Sequence, residues 1–269
     1  RFLPEVVLRA MAQHRVTLFA GVPSMYAMLV ASPQPAGDFS SLRLCISGGA
    51  PLPVAVAEAF EAKYGIPIYE GYGPTECAPV LTVNPPFGTR KLGSVGPPIP
   101  QVDLRIVDDQ GNSLPPGEVG EIVARGPNVM QGYLNRPAET AEALRDGWYH
   151  TGDLGRVDED GYYYIVDRKT DLILVAGLNV YPREVEAVLT DHPAVAEAAV
   201  VGVPDPLRGE APKAFVILRN GQQVATQDLL QWCRQRLANY KVPRSIVVVA
   251  DLPRTVTGKV LKSELRSAA

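Results

Sequence analysis

Residues 42–70 place the strongest limit on what this chain can fold into. Residues 42–46 are an apolar run short enough for a buried strand, 53–64 read as a helix, and 67–70 read as a second strand. Pro53 stands at the helix start, where a missing N–H leaves nothing unsatisfied. Strand, helix, strand in that order is the signature of a parallel sheet in an α/β fold. The alternation starts earlier. Leu3, Val6, Val7, Leu8 and Met11 recur near helical spacing over residues 3–15, and residues 16–19 are strand-like. Gly21-Val22-Pro23 then turns, and Ser24 is expected to cap a helix carrying Met25, Met28 and Leu29.

The texture changes after Val95. Residues 102–107, 119–124 and 161–166 are strand-like, and the turn clusters Asp108-Asp109-Gln110-Gly111-Asn112 and Asp158-Glu159-Asp160-Gly161 predict an antiparallel region. A charged run at 167–170 breaks the pattern and reads as a solvated linker. Beyond it, helices at 182–189 and 228–237 alternate with strands at 195–201, 214–218 and 246–249, a small α+β unit. The 269 residues suit about two domains, divided here as 1–167 and 168–269.

Composition excludes several classes. Lys+Arg total 26 against 29 Asp+Glu, so the basic excess of a nucleic-acid protein is missing. No apolar run approaches the ~20 residues of a membrane span, and no signal peptide is visible. Cys45, Cys77 and Cys233 are far apart with no CxxC pair, which predicts free thiols in a reducing, cytoplasmic setting. His14, His150 and His192 lack metal-ligand spacing. The chain opens on Arg1 inside a helical pattern, as the back portion of a longer protein would.

Several segments carry residues suited to chemistry. Ser47-Gly48-Gly49-Ala50-Pro51 joins a strand to a helix without bulk, which suits either an ordinary turn or a planar ligand against backbone. Tyr69-Glu70-Gly71-Tyr72-Gly73-Pro74-Thr75-Glu76 leaves a strand end, where open α/β sheets bind ligands. Tyr72 offers a stacking face, Thr75 a hydroxyl for phosphate, and Glu76 a hard oxygen for Mg²⁺; a tight turn with a surface Tyr explains the string equally. Asp153, between Gly152 and Gly155 after Trp148-Tyr149-His150-Thr151, suits a ribose diol or simply closes a turn, and His150 reads as structural. Arg168 in Asp167-Arg168-Lys169-Thr170-Asp171 suits ribose or phosphate at a hinge. Gly177-Leu178-Asn179-Val180-Tyr181-Pro182 reads as a glycine loop before a helix. Pro253-Arg254-Thr255-Val256-Thr257-Gly258-Lys259 is a flexible loop that can deliver one ammonium, or present a surface lysine.

With Gly93-Ser94-Val95-Gly96-Pro97-Pro98 added, these motifs fall in one order along the chain. In that order the sequence resembles the adenylate-forming superfamily, which includes acyl- and aryl-CoA synthetases, firefly luciferase and peptide-synthetase adenylation domains. The resemblance implies an α/β fold for 1–167, the C-terminal part of the large domain with its parallel sheet and antiparallel β subdomain. It implies a small α+β lid for 168–269. Gly49, Ala50 and Pro51 would then wall the adenine, Tyr72 would stack on it with Gly73 beside it, and Thr75 would contact phosphate. Glu76 would bind Mg²⁺, Asp153 the ribose diol with Arg168 beside it, Gly177 would line the pantetheine tunnel, and Lys259 would be the mobile lysine of adenylation.

The implied cofactors are ATP, CoA and Mg²⁺, and the implied reaction has two steps. A carboxylate forms acyl-AMP, then the lid rotates, withdraws Lys259 and admits the CoA thiol. Gly21-Val22-Pro23-Ser24-Met25-Tyr26-Ala27-Met28-Leu29 and Ile173-Leu174-Val175-Ala176-Gly177-Leu178-Asn179-Val180-Tyr181-Pro182 are similar to the long-chain fatty acyl-CoA synthetase versions. Small residues at Gly48 and Gly73 are read as room for an acyl chain. A fatty acid is therefore the expected substrate, with peripheral membrane contact through it allowed; an aryl- or medium-chain ligase and a non-catalytic AMP- or CoA-binding fragment are the alternatives. Two departures stand out. Thr170 occupies a hinge position where relatives commonly carry Lys or Asp, and the family's Ser/Thr/Gly-rich phosphate loop with its Lys is absent. That loop is expected ahead of Arg1, so these residues alone are expected not to adenylate at a useful rate.

Overall fold

The predicted strand–helix–strand unit forms a parallel sheet. α1 (Pro4–Gln13), α2 (Pro23–Ala31) and α3 (Val54–Tyr64) alternate with β1 (Leu18–Gly21), β2 (Leu44–Ser47) and β3 (Ile68–Tyr72). β1, β2 and β3 are parallel, and β4 (Thr82–Val83) joins β3 antiparallel, in the order β1-β2-β3-β4. Leu8, Met11, Tyr26, Leu29, Ala57 and Phe60 of the helices pack with Cys45 and Ile68 of the strands in one buried cluster. Tyr26 is completely buried, and its hydroxyl donates to the Ile46 carbonyl at 2.8 Å, so the ring fills the core without an orphaned polar atom. Ser24 does not cap α2. That helix begins one residue earlier at Pro23, whose missing N–H suits the first turn, and no side chain caps it.

This computed structural model describes residues 2–33, 37–255 and 258–267. The chain divides into two units, Arg1–Ile165 and Val166–Ala269. The first unit also carries the antiparallel region. β5 (Asp103–Val107), β6 (Gly120–Arg125), β7 (Leu144–Arg145) and β8 (Trp148–Val157) lie in the order β5-β6-β8-β7, and β9 (Tyr163–Arg168), whose last three residues are counted with the second unit, pairs with β8. α4 (Pro137–Ala143) precedes β7. The Gly93–Pro98 motif is a packing device. Gly96 has φ +85° and a Cβ there would lie 2.2 Å from the Val83 carbonyl carbon, while Val95 N–H donates to Tyr163 O at 2.9 Å.

In the second unit, β10 (Ile173–Val175), β11 (Leu178–Val180), β12 (Val195–Asp205) and β13 (Gly209–Leu218) run in the order β11-β10-β13-β12, with β14 (Ser245–Val248) parallel to β13. α5 (Pro182–Thr190) and α6 (Thr226–Arg234) bury Val185, Leu189, Leu229 and Cys233 against Val200, Ala214 and Val216. α7 (Lys262–Ser267) places Leu265 in a separate cluster with Ala199, Val201 and Phe215. The alternation of Ala199, Val200 and Val201 between the two clusters is the period-2 pattern of a strand buried on both faces.

Three readings need correction. Asp153 does not close a turn, because residues 148–157 form the continuous strand β8. The run at 167–170 is not simply solvated: Asp167 is 1% exposed, and its carboxylate accepts the Arg168 N–H at 2.8 Å and the Arg183 N–H at 2.9 Å. Arg183 lies in the first turn of α5, whose own N-cap residue Tyr181 supplies no side-chain cap, so Asp167 satisfies that helix end from another element. Gly177 begins no loop into a helix. Ala176 at φ +51° and Gly177 at φ +80° are the two-residue turn of the β10–β11 hairpin, with both φ positive as in type I′.

Candidate active site

The parallel strands end on one edge, and the loops leaving them are neighbours. Ser47 pairs with Glu70, so Gly48 follows one strand beside Gly71 on the next. Gly49, exposed at φ +80°, opens the turn that continues through Ala50 and Pro51. That turn is tethered by a residue to which the sequence assigned no role. Glu70 is 8% exposed, and its Oε1 accepts the Leu52 N–H at 2.9 Å.

Tyr72 is the last residue of β3 and is half-buried between two apolar clusters. Its hydroxyl donates to Asp153 Oδ2 at 2.6 Å, which brings two motifs 81 residues apart into contact. Burial, reinforced by the Asp153 charge, raises the phenol well above its ordinary pKa, so Tyr72 remains the donor.

The backbone of β8 explains how Asp153 gets there. Glu121 pairs with Leu154 and Val123 with His150, which leaves Thr151, Gly152 and Asp153 opposite Ile122 alone. This is a bulge, and Gly152 at φ +69° absorbs it. Thr151 Oγ1 donates to Ile122 O at 2.7 Å and accepts the Asp153 N–H at 3.1 Å, locking the bulge. Gly152 N–H donates to buried Glu121 at 3.2 Å, and His150 Nδ1 lies 3.3 Å from the same carboxylate. That His150 nitrogen is buried and makes no hydrogen bond among the described residues.

Thr75, Glu76 and Cys77 form a 3₁₀ turn directly after Tyr72-Gly73-Pro74. Thr75 is exposed and Glu76 half-exposed. Glu76 Oε1 accepts the Tyr133 hydroxyl at 2.8 Å, and its backbone carbonyl accepts the Met130 N–H at 2.7 Å. Burial and then Glu76 raise the Tyr133 phenol. Among the described residues no group of three His, Cys, Asp or Glu could hold a metal. Glu76 alone fits the way Mg²⁺ is usually held, by one or two carboxylates with substrate phosphates completing the shell. Gly73 corrects one reading. A Cβ there would sit 2.2 Å from Pro79 O and 2.8 Å from Leu81 N, so its smallness serves the chain's own packing and leaves no acyl space. At Gly48 a Cβ would meet Gly71 O at 3.5 Å, an ordinary contact.

Arg168, Gly177 and Lys259 belong to the second unit. Arg168 is exposed at the end of β9. Among the described residues a Cβ at Gly177 would meet nothing within 4 Å, so its backbone is open to approach. Lys259 is exposed on a tight turn: Thr255 N–H donates to Lys259 O at 2.8 Å, Gly258 N–H to Thr255 O at 2.9 Å, and Gly258 has φ +87°. Val256 and Thr257 of this motif lie outside the described residues. Tyr133, Glu70 and Thr151 also build the site, and an isolated Tyr, Glu or Thr carries no local pattern that marks it in the sequence.

Comparison with known proteins places the chain in a family. Residues 1–134 match the AMP-binding enzyme family and residues 184–259 the AMP-binding enzyme C-terminal domain. A feruloyl-CoA synthase of Amycolatopsis is 48% identical over 98% of this chain and 54% of its own length. A long-chain-fatty-acid–CoA ligase of Bacillus subtilis is 46% identical over 98% of this chain and 48% of its own. The chain thus spans about half the length of the curated relatives it matches. The crystal structure of ATP-bound MatB from Rhodopseudomonas palustris superposes with a TM-score of 0.94 at 39% identity, covering 100% of this chain and 53% of that one. Matched in order by both of the family's domains, the chain belongs to the AMP-binding enzyme family.

Proposed function

We propose that the protein carrying this chain activates a fatty acid with ATP and then joins it to CoA. A carboxylate oxygen attacks the α-phosphorus, giving acyl-AMP and pyrophosphate; the CoA thiol then attacks the acyl carbon and releases AMP. The observation that carries the reading is the Tyr72–Asp153 hydrogen bond at the C-terminal edge of a parallel sheet, flanked by the Gly49 turn and by Glu76. A carboxylate held by a phenol on a bulged strand is a fixed acceptor for a ribose diol. Gly49, Ala50 and Pro51 leave backbone clear for adenine, Thr75 would contact phosphate, Glu76 would hold a Mg²⁺ that neutralises phosphate charge, and Lys259 would stabilise charge in adenylation. Gly177 gives pantetheine open backbone, and Arg168 serves the ribose or phosphate. A cytoplasmic setting is part of this proposal, supported by the free thiols of Cys45, Cys77 and Cys233.

Calorimetry of this chain with AMP tests the carrying observation. Asp153→Ala is expected to weaken binding roughly tenfold to a hundredfold, the worth of hydrogen bonds to a charged group. Unchanged affinity would remove the ribose assignment, and AMP binding with no turnover by the whole protein would favour a binding-only role. In the whole protein, Lys259→Ala is expected to lower adenylation by roughly 10²–10³ while sparing thioester formation from supplied acyl-AMP.

An aryl acid is the second reading, supported by the 48% identity to a feruloyl-CoA synthase. Acid-dependent pyrophosphate exchange separates the two. Faster exchange with C12–C18 acids supports the fatty reading, and preference for ferulate or benzoates overturns it.

A further inference from the structure

α7 has six residues, Lys262–Ser267, too few for a helix to be stable by itself. Its position is therefore set by its side chains. Leu265 is 6% exposed and packs with Ala199, Val201, Phe215 and Leu252. Lys262 and Arg266, four residues apart, share one face and reach different elements. Lys262 Nζ lies 2.8 Å from Glu186 Oε1 on α5, and the same oxygen accepts the Val200 N–H of β12 at 2.8 Å. Arg266 Nη2 donates to Thr170 O at 3.2 Å and to Asp171 Oδ1 at 2.5 Å, in the 3₁₀ turn Lys169–Asp171 that follows β9.

Lys259 stands just ahead of this helix. Val260 bridges to Arg254, and Leu261 N–H donates to Pro253 O at 2.8 Å. On the other side of the turn, the Arg254 guanidinium is paired with Glu197 of β12 and donates to Gly258 O at 3.2 Å. The Lys259 backbone is thus suspended between two anchors, Arg254 and α7. Exposed ion pairs contribute little. The Lys262–Glu186 pair differs, because its side chains are only 16% and 18% exposed and loss of one partner strands the other.

We infer that Lys262 and Arg266 are positioning residues for Lys259, fixing through α7 where the turn presents its ammonium. The inference rests on the catalytic reading of Lys259, and the test keeps the two apart. Pyrophosphate exchange and thioester formation from supplied acyl-AMP are measured on the whole protein for Lys259→Ala, Lys262→Met, Lys262→Arg, Arg266→Gln and the double variant Glu186→Gln/Lys262→Met. Displacing a reacting group by about 1 Å costs up to ~100-fold, so Lys262→Met and Arg266→Gln should lower kcat for exchange roughly tenfold to a hundredfold, with KM and the thioester step within about threefold. Lys262→Arg should retain most of the activity. The double variant leaves no charge unpaired, so it should keep the native Tm yet show the same loss of kcat. Recovery of exchange in the double variant, or equal loss of both steps, would overturn the positioning role. If Lys259→Ala keeps exchange, the catalytic reading fails and the positioning role with it. If Lys259→Ala loses exchange while Lys262→Met and Arg266→Gln do not, the positioning role alone fails.

Discussion

Tyr72 does two jobs with one side chain. Its ring packs into two apolar clusters and its hydroxyl steadies Asp153. Tyr72→Phe preserves the first and deletes the second. It should lower stability by roughly 1.5–3 kcal/mol, the range for a hydrogen bond to a charged group, and should weaken AMP binding less than Asp153→Ala. Urea unfolding and calorimetry measure the two effects, and a Phe variant indistinguishable from the parent in both would refute the role given to the hydroxyl. Gly73 is a sharper case. A Cβ 2.2 Å from Pro79 O forces backbone movement, so Gly73→Ala should cost roughly 1–3 kcal/mol or more. A Gly73→Ala variant of native stability would mean that the turn yields freely. Both residues were visible in the Tyr69–Glu76 string, but only their chemistry was legible there. The space at Gly73 is closed by residues six and eight positions further on, and the partner of Glu76 is Tyr133, 57 positions away. Such partners leave no trace in local spacing.

Elements with a single clear period were legible, and elements that break their own rule were not. β2, α3 and β3 emerged within a residue or two of their expected bounds because an apolar run, a starting proline and a second run all agreed. β8 was hidden because Gly152 and Gly155 imitate a turn. In fact Gly152 absorbs a bulge, and a Cβ at Gly155 would meet Tyr164 O at 2.8 Å. The β10–β11 hairpin was hidden for a related reason: Ala176 is a poor residue for positive φ, so the turn lacks its usual Asn-Gly or Asp-Gly signal. Ala176→Asn supplies that signal without altering a packed side chain. It should raise stability by about 0.5–1 kcal/mol, visible as a higher Tm, because Asn tolerates the left-handed region that Ala resists. A lower Tm would mean that the turn depends on something other than its backbone angles.

At the scale of the molecule, the two units carry carboxylates shifted in opposite directions. Burial would raise the Asp158 carboxyl in the first unit, but the Lys91 ammonium, the Tyr162 N–H and the Tyr164 hydroxyl outweigh it and hold the group at about 2, below its ordinary 3.8. A depressed acid contributes stability that is present above its unfolded pKa and is lost as pH falls through the folded value. In the second unit, burial raises Glu186 above its ordinary 4.5, against the pull of Lys262 and the Val200 N–H. Here the folded state holds its proton more tightly than the unfolded state. The stability from this group is complete below the unfolded pKa and declines as pH rises through the raised folded value. Glu186→Gln removes that decline but keeps the shape of the side chain. The stability of Glu186→Gln minus that of the parent should therefore increase from pH 4 to pH 8, whatever its absolute sign after Lys262 loses its partner. Urea unfolding of both proteins across that range measures the difference. A difference that shrinks with pH would mean that Lys262 overcomes burial and holds Glu186 below its ordinary value, as Lys91 helps to do for Asp158.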